Sequence, residues 1–442
     1  MKESSCFREF LKYSSLNVLG MIALSCYILA DTFFVSKALG ANGLTALNLA
    51  IPVYNFINGS GLMIGMGGGT KYAISKSQGK MKQASQAFTN AAALTALIAA
   101  CFFLLGLFAS APIARMLGAD DTVFEMSRTY LQVLLLFSPM FMTNNLLLCF
   151  IRNDGAPQLS MAAMITGSLS NVVLDYVFMF PLGMGIFGAV LATGLAPVIS
   201  ILVQSSYLLT KKNQFHLVRC RLSARLSLGI FSSGLPSLIT EVSSGIVIII
   251  FNRIILGLDG NTGVAAYGVI ANLSLVVIAI YTGISQGIQP ILSSNYGKGI
   301  RENVQAILRY AVTTVVILSA GVYLCMFFGA EPITAIFNSE KNQILQEIAE
   351  AGLKIYFTGC VFAGLNIIFS VYFTSTERPL PAQIISVMRG FIVIIPMSFL
   401  LSAIAGLPGV WASFPATEFL VSVAGVGLYA VMRKKELKNK NA

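Results

Sequence analysis

The chain has 442 residues, of which 56% are hydrophobic and only 11% charged, and its formal net charge is +11. Soluble domains run at about 25% charged residues, so this composition excludes a soluble enzyme or binding module and indicates a polytopic all-α membrane protein. One histidine and seven scattered cysteines leave neither a metal-enzyme pattern nor a disulfide framework.

A spanning helix needs about 20 mostly apolar residues. By that rule twelve segments begin near Ser14, Leu44, Gln86, Ser127, Gln158, Ile186, Ile230, Val264, Gln305, Ala351, Ala382 and Pro408. The stretch from Met1 to Lys12 is short and mixed in charge, and no small-residue cleavage site follows the first apolar run, so the first segment is expected to be a retained helix. That segment carries Asp31 toward its far end, with Tyr27 one turn earlier on the same face. A carboxylate inside a membrane helix costs roughly 2.5–3.5 kcal/mol on insertion scales, so it is expected to have a task. Segment two ends in Gly65-Met-Gly-Gly-Gly69, a superficial likeness to a phosphate loop. No strand precedes it and no Gly-Lys-Ser/Thr follows, so close packing of small residues is expected there.

Segment five holds Asn171 and Asp175 one turn apart, and segment six holds Thr193. Placed by depth, these residues lie level with Asp31. Together they offer carboxylate, amide, hydroxyl and phenol oxygens, which suit a small hard cation (sodium held by Asp31 and Asp175) or a proton shared by two repelling acids. A basic stretch, 211–229, separates the first six segments (1–210) from the last six (230–442). Segment seven carries Glu241, segment eleven Arg389 and segment twelve Glu418, which follows Pro415. These form either a second cation or ligand site, or a Glu–Arg pair that satisfies buried charge. Segment eight ends in Gln286-Gly-Ile-Gln-Pro290, expected to be a broken or bent helix with Gln286 and Gln289 facing a cavity.

Charge sets the orientation. With the N-terminus inside, 22 of the 29 Lys and Arg fall on the inner side and 6 on the outer, with Arg389 within a segment. The bias places both termini in the cytoplasm and assigns the basic runs to topology, with nucleic acid not a partner. The chain also repeats. Gly43-Leu-Thr-Ala-Leu47 resembles Gly263-Val-Ala-Ala-Tyr267, Gly79-Lys80 matches Gly297-Lys298, and Asp154-Gly-Ala-Pro157 lines up with Thr376-Glu-Arg-Pro379. Gly188-Ala-Val190 aligns with Gly409-Val-Trp411 and Lys211-Lys212 with Arg433-Lys434, all at spacings of 218 to 222. Six spans per repeat give both copies one orientation. The expected architecture is therefore two pseudo-symmetric six-helix lobes around a central cavity, with alternating access by rocking.

Asp31-Thr-Phe-Phe-Val-Ser with Leu39-Gly40, Asn171-Val-Val-Leu-Asp175, Gly188-Ala-Val-Leu-Ala-Thr193, Gly234-Leu-Pro236 and Gly409-Val-Trp411 resemble the multidrug and toxic compound extrusion (MATE) family, prokaryotic type. The likeness covers essentially the whole chain. It implies proton- or sodium-driven export of amphipathic organic cations across the cell membrane, with no cofactor, no enzymatic step and a single chain as the working unit. It also implies a cation or proton site in the first lobe built from Asp31, Asp175, Asn171, Thr193 and Tyr27, joined by Asn144 or Asn145 on segment four. Many relatives have a proline in helix one; Ser14 and Ser15 occupy that region here, with Pro236 as the second-lobe counterpart. The alternative function is a lipid-linked precursor flippase of the same superfamily, which needs a strongly cationic cavity.

Overall fold

In the computed structural model the described residues are 3–338 and 341–441, with side-chain surroundings described for 5–338 and 341–434. Lys2 and the side chains of Lys435, Lys438 and Lys440, four of the 22 basic residues that charge placement assigns to the inner side, lie outside these. The helices of the first half are α1 (Glu3–Ser77), α2 (Met81–Phe108), α3 (Ser110–Met116), α4 (Phe124–Leu136), α5 (Ser138–Asp154), α6 (Pro157–Met179) and α7 (Gly185–Leu209). Those of the second half are α8 (Ala224–Gly297), α9 (Arg301–Phe328), α10 (Ala330–Phe337), α11 (Gln343–Tyr356), α12 (Cys360–Ser375), α13 (Pro379–Val387) and α14 (Ile394–Asn441).

Three of these are helical hairpins. α1 breaks at Gly40 (φ 64°), α8 at Gly260 (φ 61°) and α14 at Gly406 (φ 61°), left-handed backbone that glycine adopts without a Cβ penalty. The arms then fold back: Tyr27 and Tyr54, nearly equidistant from Gly40, meet hydroxyl to hydroxyl at 2.9 Å. Phe251 and Tyr267 flank Gly260 with ring centroids 5.5 Å apart. Eight helices, and α4 with α5 as a pair bent by 46°, are long and apolar enough to cross a membrane. Counting both arms of each hairpin, the described residues form twelve spans. Pro139, in the first turn of α5, accounts for the bend after Phe137.

The halves repeat in backbone detail. Gly40 and Gly260 are 220 residues apart with nearly equal angles, as are Gly79 (φ 75°) and Gly299 (φ 73°). The structural partner of Gly79 is therefore Gly299, not the Gly297 that the sequence match gave. Two apolar cores result, one drawn mostly from residues 35–230 and the other mostly from 251–421. Phe33, Phe108, Leu202, Ile317 and Phe328 are large apolar side chains left exposed, as suits helices that cross a bilayer.

The lobes meet most extensively between α1 and α8. A Cβ on Gly67 would strike the Ile230 carbonyl, and one on Gly234 the Met63 carbonyl. Across the pseudo-axis, Gly283 lies on Val18 and Gly287 on Tyr13 and Ser14. The Gly65–Gly69 run is thus a close-packing surface for α5 and α8. The Gln286–Pro290 stretch is not broken: within α8 the non-helical angles occur at Gly260, and Gly287 instead lets α1 approach. The first arm of α1 likewise runs unbroken to Gly40 without a proline.

The stretch between the lobes is shorter than 211–229. Ser223 accepts from the Leu226 N–H at 3.3 Å and caps α8 at Ala224, leaving 210–223 as connection. This connection is fastened to the first lobe. Phe215, 1% exposed, packs among Tyr72, Phe88 and Phe150, and Asn90 and Thr89 accept from the Ser223 and Val218 amides.

Candidate functional site

α6 separates lipid from site by helical period. Leu169, Val173 and Tyr176 are exposed on one face, while Ser168, Asn171 and Asp175 are buried on the other. With its amide oriented to satisfy both ends, Asn171 donates to Asp175 Oδ2 at 3.0 Å and accepts from the Thr193 N–H at 3.2 Å. Thr193 in turn donates its hydroxyl to the Ala189 carbonyl at 3.1 Å. α6 and α7 are therefore locked together around Asp175.

Asp31, on the first arm of α1, lies within electrostatic reach of Asp175. Both acids are buried, and both Oδ1 atoms lack a hydrogen-bond partner. A buried carboxylate oxygen without a partner is costly, and a proton or a small cation between the two acids relieves both the repulsion and the missing bonds. Among the described residues no group of three or more His, Cys, Asp and Glu could hold a metal ion. Two acids with amide and hydroxyl neighbours match a monovalent ion or a proton better than a tightly held divalent metal.

Tyr27 turns to Tyr54. Tyr130 of α4, which sequence reasoning missed, lies within electrostatic reach of Asp31 and Asp175 and shares a hydrogen bond with Thr193. Its only sequence signal was a phenol inside an apolar segment. Asn144 and Asn145 point to different partners. Asn144 accepts from Gln204 at 2.7 Å, and Asn145 donates to Asn58 Oδ1 at 2.8 Å.

The second-lobe residues divide. Arg389 grips Glu418 with its Nε 2.9 Å from both carboxylate oxygens and one Nη at 2.8 Å. Asn366 donates to Glu418 Oε2 at 2.7 Å. A π-helical turn over Met388–Ile392 carries Arg389, and the pair is satisfied internally. Glu241 stands apart from it and accepts from Asn58 of the first lobe at 3.3 Å.

Between the lobes lies a cavity of about 820 Å³ including its open mouth, lined by Tyr27, Tyr54, Asn58, Phe141, Thr193 and Glu241 among others. At the end bearing the 210–223 connection it is closed by polar bonds across the lobes. Gln286 accepts from Arg152 at 2.9 Å, and Gln289 accepts from Asn153 at 2.9 Å and donates to Thr70 at 3.1 Å. Lys71 pairs with Glu377 at 2.6 Å. Arg152, one of the 22 basic residues that charge placement assigns to the inner side, is 1% exposed and belongs to this closure.

A duplicated twelve-span bundle, closed at one end, with an unsatisfied acid pair beside an inter-lobe cavity, is the build of a membrane carrier. The MatE family profile matches residues 18–177 and 236–400, and the chain belongs to that family of transporters. The Multidrug export protein MepA of Staphylococcus saprophyticus is 24% identical over 438 residues, covering 98% of this chain and 96% of that one. MepA of Staphylococcus aureus strain NCTC 8325 is 25% identical over 442 residues at the same coverage. Among solved structures, MATE in complex with MaL6 superposes with TM-score 0.92 at 23% identity, covering 99% of this chain and 100% of that one. An outward-facing multidrug resistance MATE transporter of the MOP superfamily gives 0.91 at 22% identity, covering 99% of each chain.

Proposed function

We propose that this protein is a cation-coupled antiporter that exports amphipathic organic cations across the cell membrane, both termini being cytoplasmic. The observation that carries the reading is the buried Asp31–Asp175 pair, with both Oδ1 atoms unpartnered and Asn171 fixing the second acid. With the termini inside, the closed end of the cavity faces the cytoplasm and its mouth faces out. In that state the acids take up a proton or sodium from outside. Neutralising them alters the packing of α1 against α6 and α7, loosens bound cation and lets it leave outward. Inward movement of one positive charge contributes about 2.3 kcal/mol per 100 mV.

The names of the MepA relatives support drugs as substrates. Glu241 supports a positive charge on them, since it lines the cavity beside Tyr27, Tyr54 and Phe141. A flippase for a pyrophosphate-linked lipid needs several cations in its cavity, whereas among the described residues the charged ones lining this cavity are Arg152 and Glu241. The test is dye counterflow in liposomes against an imposed ion gradient. Uphill dye movement supports the antiporter; dye flux that never exceeds equilibration rejects it.

A further inference from the structure

The connection between the lobes carries charges and apolar side chains in an arrangement that export does not use. Lys211, Lys212, Arg219, Arg221 and Arg225 are all exposed, and the chain holds no acid between Asp175 and Glu241. Among the described residues none of the five is paired with a carboxylate. Leu217 and Leu222, set among these charges, are 71% and 61% exposed. The sign of the charge follows from topology, since inner loops collect Lys and Arg. Topology does not account for exposed leucines among the charges, or for the bonds that fasten the stretch down.

Asp154, buried at the end of α5, accepts from the Gln214 N–H at 2.8 Å and from the Tyr207 and Tyr72 hydroxyls at 2.9 and 2.6 Å. Farther along, the Val218 and Ser223 N–H groups donate to Thr89 and Asn90 of α2 at 3.1 and 3.0 Å. These two acceptors fix a depth. α2 has 28 residues, about 42 Å of helix, against roughly 30 Å of hydrocarbon. The excess belongs at its polar start, which holds Lys82, Gln83 and Gln86, because its other end exposes Leu104, Leu105, Leu107 and Phe108. Thr89 and Asn90 come about 12 Å along α2 and so mark the boundary between headgroups and acyl chains. Arg219 and Arg221 lie between the two anchored residues, with Leu217 and Leu222 beside them. Basic heads at headgroup level and leucines at the acyl edge are what a segment lying in the membrane interface presents.

We propose that Arg219, Arg221 and Arg225 form a binding surface for an anionic phospholipid headgroup. Its phosphodiester supplies the negative charge that this stretch lacks, and Leu217 and Leu222 meet its acyl chains. The surface lies at the closed end of the cavity, the cytoplasmic end in the export reading. Headgroup binding depends on neither ion coupling nor substrate, so its failure leaves that reading intact.

The test is native mass spectrometry of the full chain in detergent, titrated with phosphatidylglycerol and with phosphatidylcholine of the same acyl chains. The parent is expected to retain phosphatidylglycerol in preference. The triple change Arg219→Gln, Arg221→Gln and Arg225→Gln should weaken that retention by roughly tenfold or more and leave phosphatidylcholine within about twofold. Removing three exposed bases of the second lobe at the same end, by Lys298→Gln, Arg301→Gln and Lys434→Gln, should weaken it by less than about twofold. The single changes Arg219→Gln and Arg221→Gln, each expected to weaken retention by about threefold to fivefold, keep the proposal testable if the triple variant misfolds. Equal loss in the two triple variants would make the effect that of a diffusely basic side and overturn the surface. No preference in the parent, or no loss in the single and triple variants, would overturn it as well. Glycerol 3-phosphate, which offers a phosphate without acyl chains, should not displace the lipid; displacement would assign the surface to a soluble phosphate and reject the lipid.

Discussion

The two lobes share a backbone, but the Asp31–Asp175 pair of the first and Glu418 of the second are treated in opposite ways. In the second lobe, Glu418 is held by Arg389 and Asn366, and its carboxylate oxygens have no demand left over. In the first lobe, Asp31 and Asp175 each keep an oxygen without a partner, and among the described residues no cationic side chain is paired with either. A satisfied pair is a fastening, and an unsatisfied one is a place where a mobile charge can come and go. The two halves repeat one backbone, and these side chains are where they differ.

The largest effect expected from breaking this comparison is on transport. Asp31→Asn and Asp175→Asn should each abolish ion-driven dye efflux from liposomes, while size-exclusion profiles and thermal unfolding stay near those of the parent. In the second lobe the same kind of change should strike stability instead. Arg389→Ala leaves Glu418 buried and uncompensated, which is expected to cost about 3–5 kcal/mol, read as a fall in unfolding midpoint. The double change Arg389→Met with Glu418→Leu should cost less than Arg389→Ala alone. If it costs more, the pair is not the simple fastening described.

A smaller effect sharpens the first-lobe site. Asn171→Ala removes a donor to the Asp175 carboxylate and should weaken ion coupling by roughly 1.5–3 kcal/mol, seen as a higher ion concentration for half-maximal dye release. The smallest effect belongs to the inter-lobe pair of Lys71 and Glu377, whose side chains are 25% and 37% exposed. Lys71→Ala should change unfolding stability by about 1 kcal/mol or less. A larger loss would mean that closure depends on this contact more than on Gln286, Gln289 and the packed glycines.

Much of the architecture was legible because membrane physics writes it plainly. Length of apolar runs gave the spans, and the near-constant repeat spacing gave the two lobes. The depth argument grouped Asp31, Asp175, Asn171 and Thr193, which the structure brings together at the contact of α1, α6 and α7. Contacts between segments were not legible. Tyr130 joins the acids from α4, and no local pattern marks a phenol that reaches across a bundle. The stretch with Gln286 and Gln289 read as a broken or bent helix facing a cavity; the helix is continuous, Gln286 does line the cavity, and both side chains bond the other lobe. Arg152 read as a topology charge, since a basic residue near a segment end looks the same whether it meets headgroups or turns inward. Phe215 in a basic connection gave no hint of the aromatic pocket that fastens it.

The central claim is that the first-lobe acids couple ion entry to export. Its most direct measurement is dye efflux from proteoliposomes under a pH gradient and a sodium gradient imposed separately, for the parent, Asp31→Asn and Asp175→Asn. The account predicts that at least one gradient drives efflux by the parent and that neither drives it in either variant. Parent-level, gradient-driven efflux by Asp31→Asn or Asp175→Asn would contradict it.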